Sequence, residues 1–394
     1  MLKMNEKGGV AVIVALCLPL VIGAAGLGVE VGYWRYDQVR LQQAADAAAY
    51  AGAMIKRSGG TGLSDVAATA ASSNGFSSTT DTIAVNSPSS ATPGDANSVE
   101  VVINRTETPL FTAIFTTRPA VVKVSATASF STAANACILA LNPGAAKAAD
   151  FAGNSSLTLD GCTVMSNSIA SNALNVQGSA VVNVPCMYAV GGASLGGTVS
   201  LTTCAAVKTS QPPVADPYKD LVMPTVSGGC QNQGNGATLN SGQYCSLTFK
   251  KNTNLNPGVY IINGGTLTMN AGTTVTGSGV TFYLVNGASV SMNGNSDVQL
   301  SAPTTGTYAG FLFISDRSNT GSISINGDNS STMTGVVYSP NGSVNYNGNF
   351  SGTSGCTQIV AQTVAWSGST TFRDDCSTYG MDQVKVGGVV RLSA

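Results

Sequence analysis

The sequence contains no histidine and few charges of either sign, and both shortages narrow what it can do. Without imidazole there is no base of the Ser-His-Asp or Cys-His type, and the commonest zinc ligand is missing. Charged residues make up 9% of the 394 positions, against roughly a quarter in an ordinary globular protein. Lys plus Arg number 18 and Asp plus Glu 19, so no basic field exists to neutralise phosphates, and nucleic acid is excluded as a partner. What is abundant instead is Gly, Ser, Thr and Asn beside 43% apolar residues. That balance suits an exported, turn-rich β protein with a real core.

CxxC spacing is missing too. Of the nine cysteines, Cys17 lies inside an apolar run; the others are Cys137, Cys162, Cys186, Cys204, Cys230, Cys245, Cys356 and Cys376. With neither CxxC nor His to hold zinc, these eight read as four disulfides formed in an oxidising compartment. Eight cysteines permit many connectivities. Pairing sequence neighbours (137 with 162, 186 with 204, 230 with 245, 356 with 376) closes short loops, each stabilising by about 3 kcal/mol in the chain-entropy model.

One long apolar run is present. Gly8 to Val29 carries no charge and is long enough to cross a bilayer as a helix. Glu30 ends it, and Tyr33, Trp34 and Tyr36 follow where amphipathic rings meet lipid headgroups. A cleaved signal peptide is the alternative, since Lys3 and Lys7 precede the run and Ala24-Ala25-Gly26 offers small residues for cleavage. Flanking positive charge does not orient the helix, but the cysteines do: N-terminus inside, bulk outside. The segment RYDQVRLQQAADAAAYAGAMIKR is rich in strong helix formers. It extends the expected helix from Val10 to Met54, roughly 67 Å, with Pro19 as the place for a kink. Tyr36, Val39, Gln43, Ala47, Tyr50 and Met54 share one face at helical spacing, and this stripe is expected to be covered.

These residues carry a family resemblance. Gly9 followed by Val-Ala-Val, Leu18-Pro19 within the run, Gly23-Ala-Ala-Gly26, and Leu41-Gln42 followed by Ala44-Ala-Asp-Ala-Ala-Ala49 resemble the N-terminal segment of the TadG-like proteins of the Tad (tight adherence, Flp) pilus-assembly system. Pilins of such systems carry a glutamate shortly after a peptidase cleavage site. The corresponding position here is Ile13 or Val14, so the resemblance implies an uncut inner-membrane anchor rather than a major pilin. The other pilus-assembly proteins are the expected partners of the helix.

After residue 57 the pattern changes. A short helix is predicted over Ser64–Ser73, with Ser64 as N-cap and Asn74-Gly75 as its end. Strands follow at Asp81–Asn86, Ser98–Asn104 and Ala120–Phe130, with a helical piece at Leu110–Phe115. This makes residues 58–136 a small, pilin-like α+β region. From Cys137 onward short strands alternate with Gly and Asn, and one phrase recurs, ending at Asn270, Asn293, Asn326 and Asn347. Each is followed by a more apolar strand such as Val280–Val285. A repeat near 20 residues with turn Asn or Gly fits the coils of a β-helix, with Asn ladders at a corner. A β-sandwich is the alternative. Pro212, Pro213, Pro217 and Pro224 read as a joint over 207–229. It divides a disulfide-bearing β region, 137–206, from a β-repeat domain, 230–394.

Candidate chemistry is sparse. Asp316-Arg317 and Arg373-Asp374-Asp375 are the acid and base pairs a carbohydrate-active β-helix would need, and each reads better as a solvated turn. Asp316, Ser318 and Thr320 resemble the Asp-x-Ser-x-Ser metal-ion-dependent adhesion motif of von Willebrand A domains, whose oxygens suit Mg²⁺. That domain alternates helices with parallel strands, which this stretch does not, so a turn is the expectation. Asn293 to Asp297 resembles a calcium turn but occurs once. The expectation is a mainly β protein with an N-terminal transmembrane helix at about 10–31 and its helical extension to residue 57. It binds no cofactor, and it serves as a structural or adhesive part of a pilus system that meets a surface or host ligand, not as an enzyme. An anchored or secreted carbohydrate-active enzyme is the alternative.

Overall fold

The computed structural model describes residues 6–57, 60–90, 95–130, 134–233, 237–326, 330–347, 349–350, 356–373, 381, 383–387 and 390–393. The chain forms two units, Met1–Thr132 with Gly388–Ala394, and Ala133–Gly387.

In the first unit one helix, α1, runs over Glu6–Arg57 with Pro19 inside it. Its apolar half is bare: Val12, Ile13, Leu16, Leu20 and Val29 are all more than half exposed. Its polar half packs on α2 (Leu63–Ser72) and on an antiparallel sheet ordered β1 (Asp81–Asn86), β2 (Ser98–Glu107), β3 (Ala120–Phe130) and the C-terminal strand Val390–Ser393. Two local expectations shift. The cap of α2 is Gly62, in the left-handed region at φ 79°, in place of Ser64, and the helical piece near 110 is a single 3-10 turn, Thr112–Ile114.

The buried face of α1 is not the expected stripe. Tyr36, Val39, Gln43 and Tyr50 are exposed, while Asp37, Leu41, Ala44, Ala45, Ala48, Ala49 and Ala53 are buried. The reason is distance. A sheet covered by Val99, Val101, Ile103 and Val124 leaves room for small side chains only; a Cβ on Gly52 would sit 3.1 Å from both Leu63 and Val99.

The second unit is a parallel β-helix with three faces. The first face stacks Gly242–Tyr244, Gly258–Asn263, Val280–Val285, Phe311–Ser315, then residues 335–339 and 357–361, each parallel to the last. The second face stacks Leu247–Phe249, Thr266–Met269, Ser289–Met292, Ile323–Ile325, then residues 343–346 and 363–366. The third includes Thr253–Leu255, Thr274–Ser278 and Asp297–Ser301. Parallel register on every face rules out the sandwich alternative, which needs two antiparallel sheets.

The coils are not stacked in chain order. Thr357–Trp366 pairs onward with the earlier strands: Ile359 faces Ile138, and Trp366 faces Phe151. Ser369–Arg373 pairs with Ser156–Asp160 in the same sense. The coils of 134–201 then run on through Thr163–Ser166 to Met187–Ala189. The chain thus enters its solenoid in the middle, builds to one end, crosses to the other and builds back. Its exit strand, Val384–Val386, lies antiparallel to its entry at Ala134–Ala136.

The crossing is made by the proline-rich segment, so residues 207–229 are a strap and not a joint, and 137–206 and 230–394 do not form separate domains. Val214, Tyr218, Leu221, Met223 and Val226 of the strap pack on outward side chains of the first face, including Met165, Tyr283, Ile314, Tyr338 and Val360. After Lys208 has paired beside Tyr188 on the end coil, the segment leaves the ladder and needs few donors, which suits its prolines. The covering also explains why Val280–Val285 and Phe311–Ser315 are buried at every position: their strands have two dry faces.

Inside, equivalent side chains stack from coil to coil. Phe282 lies with its ring centroid 5.6 Å from that of Tyr260 and 5.2 Å from that of Phe313, and Tyr346 stacks on Trp366 at 4.1 Å. At the corners asparagines pair between coils: Asn256 Nδ2 donates to Asn240 at 2.7 Å, Asn286 to Asn263 at 2.8 Å, and Asn293 to Asn270 at 3.2 Å. The Asn phrase in the sequence is one of these corners.

Three disulfides join sequence neighbours, Cys137–Cys162, Cys186–Cys204 and Cys230–Cys245. Cys356 is also disulfide-bonded, and Cys376 lies outside the described residues. Two bonds sit at the solenoid ends, next to Met187–Ala189 and Gly242–Tyr244; Cys137 and Cys356 sit where the two runs of coils meet.

Truncation of the fully buried Phe282 to Ala is expected to cost about 3–5 kcal/mol in urea unfolding; a loss below about 1 kcal/mol would contradict a continuous ring stack. Because end coils have one neighbour only, reduction of the disulfides is expected to raise amide exchange first in residues 187–201 and 238–249. Exchange rising first in 280–315 would reverse that order.

Candidate functional site

The first unit holds the densest charge. Arg105, on β2, donates from Nε and Nη2 to both carboxylate oxygens of Asp81 at 2.7 and 2.8 Å. Its Nη1 donates to Asp37 Oδ1 on α1 at 3.1 Å, and Nη2 also reaches the Gly75 carbonyl at 3.2 Å. Glu107 lies 4.0 Å from Nε. One guanidinium therefore ties α1, the end of α2 and the sheet together, and three carboxylates at 8% exposure or less surround it. Burial works to raise the Asp81 carboxyl, but hydrogen bonds from Arg105, Ser77 and Thr80 outweigh it and hold the group below its usual range. Burial and the neighbouring Asp37 push Glu107 up. Arg105 is raised by its bonds to Asp81. This is a lock on the helix.

The α1 side chains expected at the membrane interface lie one turn further toward the N-terminus. Tyr33 and Tyr36 are half exposed or more, Trp34 is half-buried, and Trp34 and Arg35 line a groove with Val121 and Lys123.

On the β-helix, Asp316 and Ser318 come together as a turn and Thr320 is not joined to them. Asp316 Oδ1 accepts the Ser318 N–H at 2.8 Å and its hydroxyl at 2.6 Å, while Oδ2 accepts Tyr283 OH at 2.6 Å. Burial opposes its charge, but these bonds and Arg317 hold its carboxyl below the ordinary range. Arg317 turns the other way and donates to the strap carbonyls of Tyr218 and Leu221 at 3.1 and 2.9 Å. Nearby, Tyr338 OH donates to the strap's Asp216 at 2.7 Å, and Tyr218 OH bonds Gln358. The Asp316-Arg317 corner is thus a clasp for the strap, a role that chain-distant partners hid from sequence reading. Asp374 and Asp375 lie outside the described residues. In the candidate calcium turn the Asp297 carboxylate accepts Gln299 Nε2 at 3.2 Å. No group of three or more His, Cys, Asp or Glu converges on a metal position among the described residues. A cavity of about 310 Å³ under the strap is lined by Tyr218, Asp220, Thr307, Phe311 and Met381 among others; among the described residues Asp220 is its one carboxylate and no basic side chain lines it.

Residues 8–54 match the family model described as Flp pilus-assembly TadE/G-like. The N-terminal segment is of this class, as the resemblance implied. The match takes in the bare apolar half of α1 and its alanine face. Residues 200–379 match a domain of unknown function (DUF7305), which takes in the strap and the coils that follow it. No curated protein and no solved structure matches the chain.

Replacing Arg105 by Leu leaves the buried carboxylates unpaired and is expected to cost about 3–5 kcal/mol. Glu107→Gln tests the sign of its shift. A carboxyl raised in the folded state loses stability as pH rises through the folded value, so this variant should be more stable than the parent at pH 7, and the gain should vanish below about pH 4. Equal stability differences at both pH values would refute the assignment. Arg317→Ala is expected to cost about 2–3 kcal/mol and to open the chain to protease at residues 212–226 first.

Proposed function

We propose that the chain is a membrane-anchored, extracytoplasmic component of a Tad or Flp-type pilus assembly or adhesion system, structural or adhesive and not catalytic. The match of residues 8–54 carries this reading. The helix of that segment has 12–57 long and apolar enough to cross a membrane, and its exposed half needs an apolar medium. The disulfides support an oxidising exterior and an N-terminus on the cytoplasmic side of the inner membrane. The β-helix supports a stalk or contact role: it is long in the stacking direction, poor in charge, and stapled at its ends and at its middle. Its ladders of Thr, Ser and Asn offer a flat polar surface for a surface or host ligand, and the exposed face of α1 suits the helices of other pilus-assembly proteins.

Deletion of the chain from its native bacterium tests the reading. Loss of Flp pili or of surface attachment is the expected outcome, restored by the full chain but not by one whose residues 8–29 are replaced by an unrelated spanning helix. Intact pili and attachment, together with sugar release from polysaccharide by the purified protein, would move the assignment to a carbohydrate-active enzyme.

A further inference from the structure

The segment between β2 and β3, TPLFTAIFTT at residues 108–117, has no charge and buries none of its 3-10 turn. Leu110 is 61% exposed, Phe111 42%, Ile114 80% and Phe115 80%. Elsewhere among the described residues of the β-helix the large exposed apolar side chains, Ile169, Leu195 and Val222, are far apart in sequence, which is ordinary for a soluble surface. Four together on one turn are not.

The turn is pinned to α1. Glu30, 1% exposed, accepts the Leu110 and Thr112 N–H groups at 2.7 Å each and the Thr112 hydroxyl at 2.9 Å. One helical turn earlier, Gly26 leaves space for the Phe111 ring; a Cβ there would lie 2.6 Å from it. The contact falls at the end of the charge-free run Gly8 to Val29, whose length of about 33 Å at 1.5 Å per residue matches a hydrocarbon core of about 30 Å. The Gly26 to Glu30 level is therefore the boundary between acyl chains and headgroups. Arg118, exposed just past the turn, stands where a cation meets phosphate. Part of the turn's backbone is satisfied internally, as lipid favours: Phe115 and Thr116 N–H donate to Thr112 O at 2.9 Å.

We propose that residues 109–116 are a second membrane contact, in which Leu110, Phe111, Ile114 and Phe115 enter the outer leaflet beside α1 and fix the height and tilt of the first unit on the bilayer. The proposal rests on the reading of α1 as a spanning anchor. Glu30 is the positioning residue: its carboxylate is spent on the turn and so is tolerated at that depth.

The test is site-directed spin labelling of the full chain in phosphatidylethanolamine and phosphatidylglycerol vesicles, on a Cys17→Ser background. Single labels are placed through Ile114→Cys, Phe115→Cys, Val14→Cys and Thr79→Cys. Collision with oxygen relative to an aqueous nickel chelate is expected to be severalfold higher at positions 114 and 115 than at 79, and in the same sense as at 14. If 114 and 115 behave like 79 while 14 stays in lipid, the second contact is refuted and the anchor stands. If 14 is also water-exposed, both readings fall. Two adjacent labels guard against one variant that does not fold.

Discussion

The backbone pairing of Ile359–Ala361 with Ile138–Ala140 is the contact on which the solenoid depends. Each coil of a parallel β-helix buries its inward side chains only between neighbours, so the two runs of coils would each end in an open ladder without it. Joined, they make one stack with a continuous interior, Val337 to Ile359 to Ile138 to Val164. The join also brings the entry and exit strands of the unit side by side, which lets the last strand of the chain return to pair with β3.

A solenoid filled from the middle needs a crossing between its ends, and the crossing decides the chemistry of one face. The strap converts the outside of the first face from a wet surface to a second core, with Tyr338, Tyr218 and Arg317 supplying the polar bonds that fix its path. In the first unit the equivalent constraint is closeness. Alanines and Gly52 on α1 let the helix lie near the sheet, and the Arg105 cluster joins them where side chains cannot fill the gap.

Much of this was legible in the sequence. The apolar run, the Asn phrase and the even cysteine count led to the long apolar helix, the β-helix and three neighbour-paired disulfides. What was not legible has physical causes. Every coil presents the same row of N–H and C=O groups to the next, so the repeat pattern of 266–347 cannot say that residue 359 stacks on residue 138. Prolines at 212, 213, 217 and 224 mark a segment outside a sheet, and a strap and a linker satisfy that equally. On α1 the choice of face was misjudged because hydrophobicity favours Tyr36, Val39 and Tyr50, while steric fit favours alanine. The burial at Asp37 and Asp81 has no local signal at all, since Arg105, the partner they share, comes from distant sequence.

The interrupted order of the coils has a consequence for how the protein is made. The coils of 134–201 are synthesised before residues 357–366, the strand they stack on. Their ladder edge and the inward faces of Ile138, Ala149 and Leu157 must wait through some two hundred residues of further chain, an edge of the kind that pairs readily with foreign strands. Cys137–Cys162 and Cys186–Cys204 lie wholly within that early run, so neither needs later chain for its partner. Oxidation of these two pairs can hold the first coils in shape until the last ones arrive, which makes the disulfides guardians of assembly order as well as staples of the finished fold.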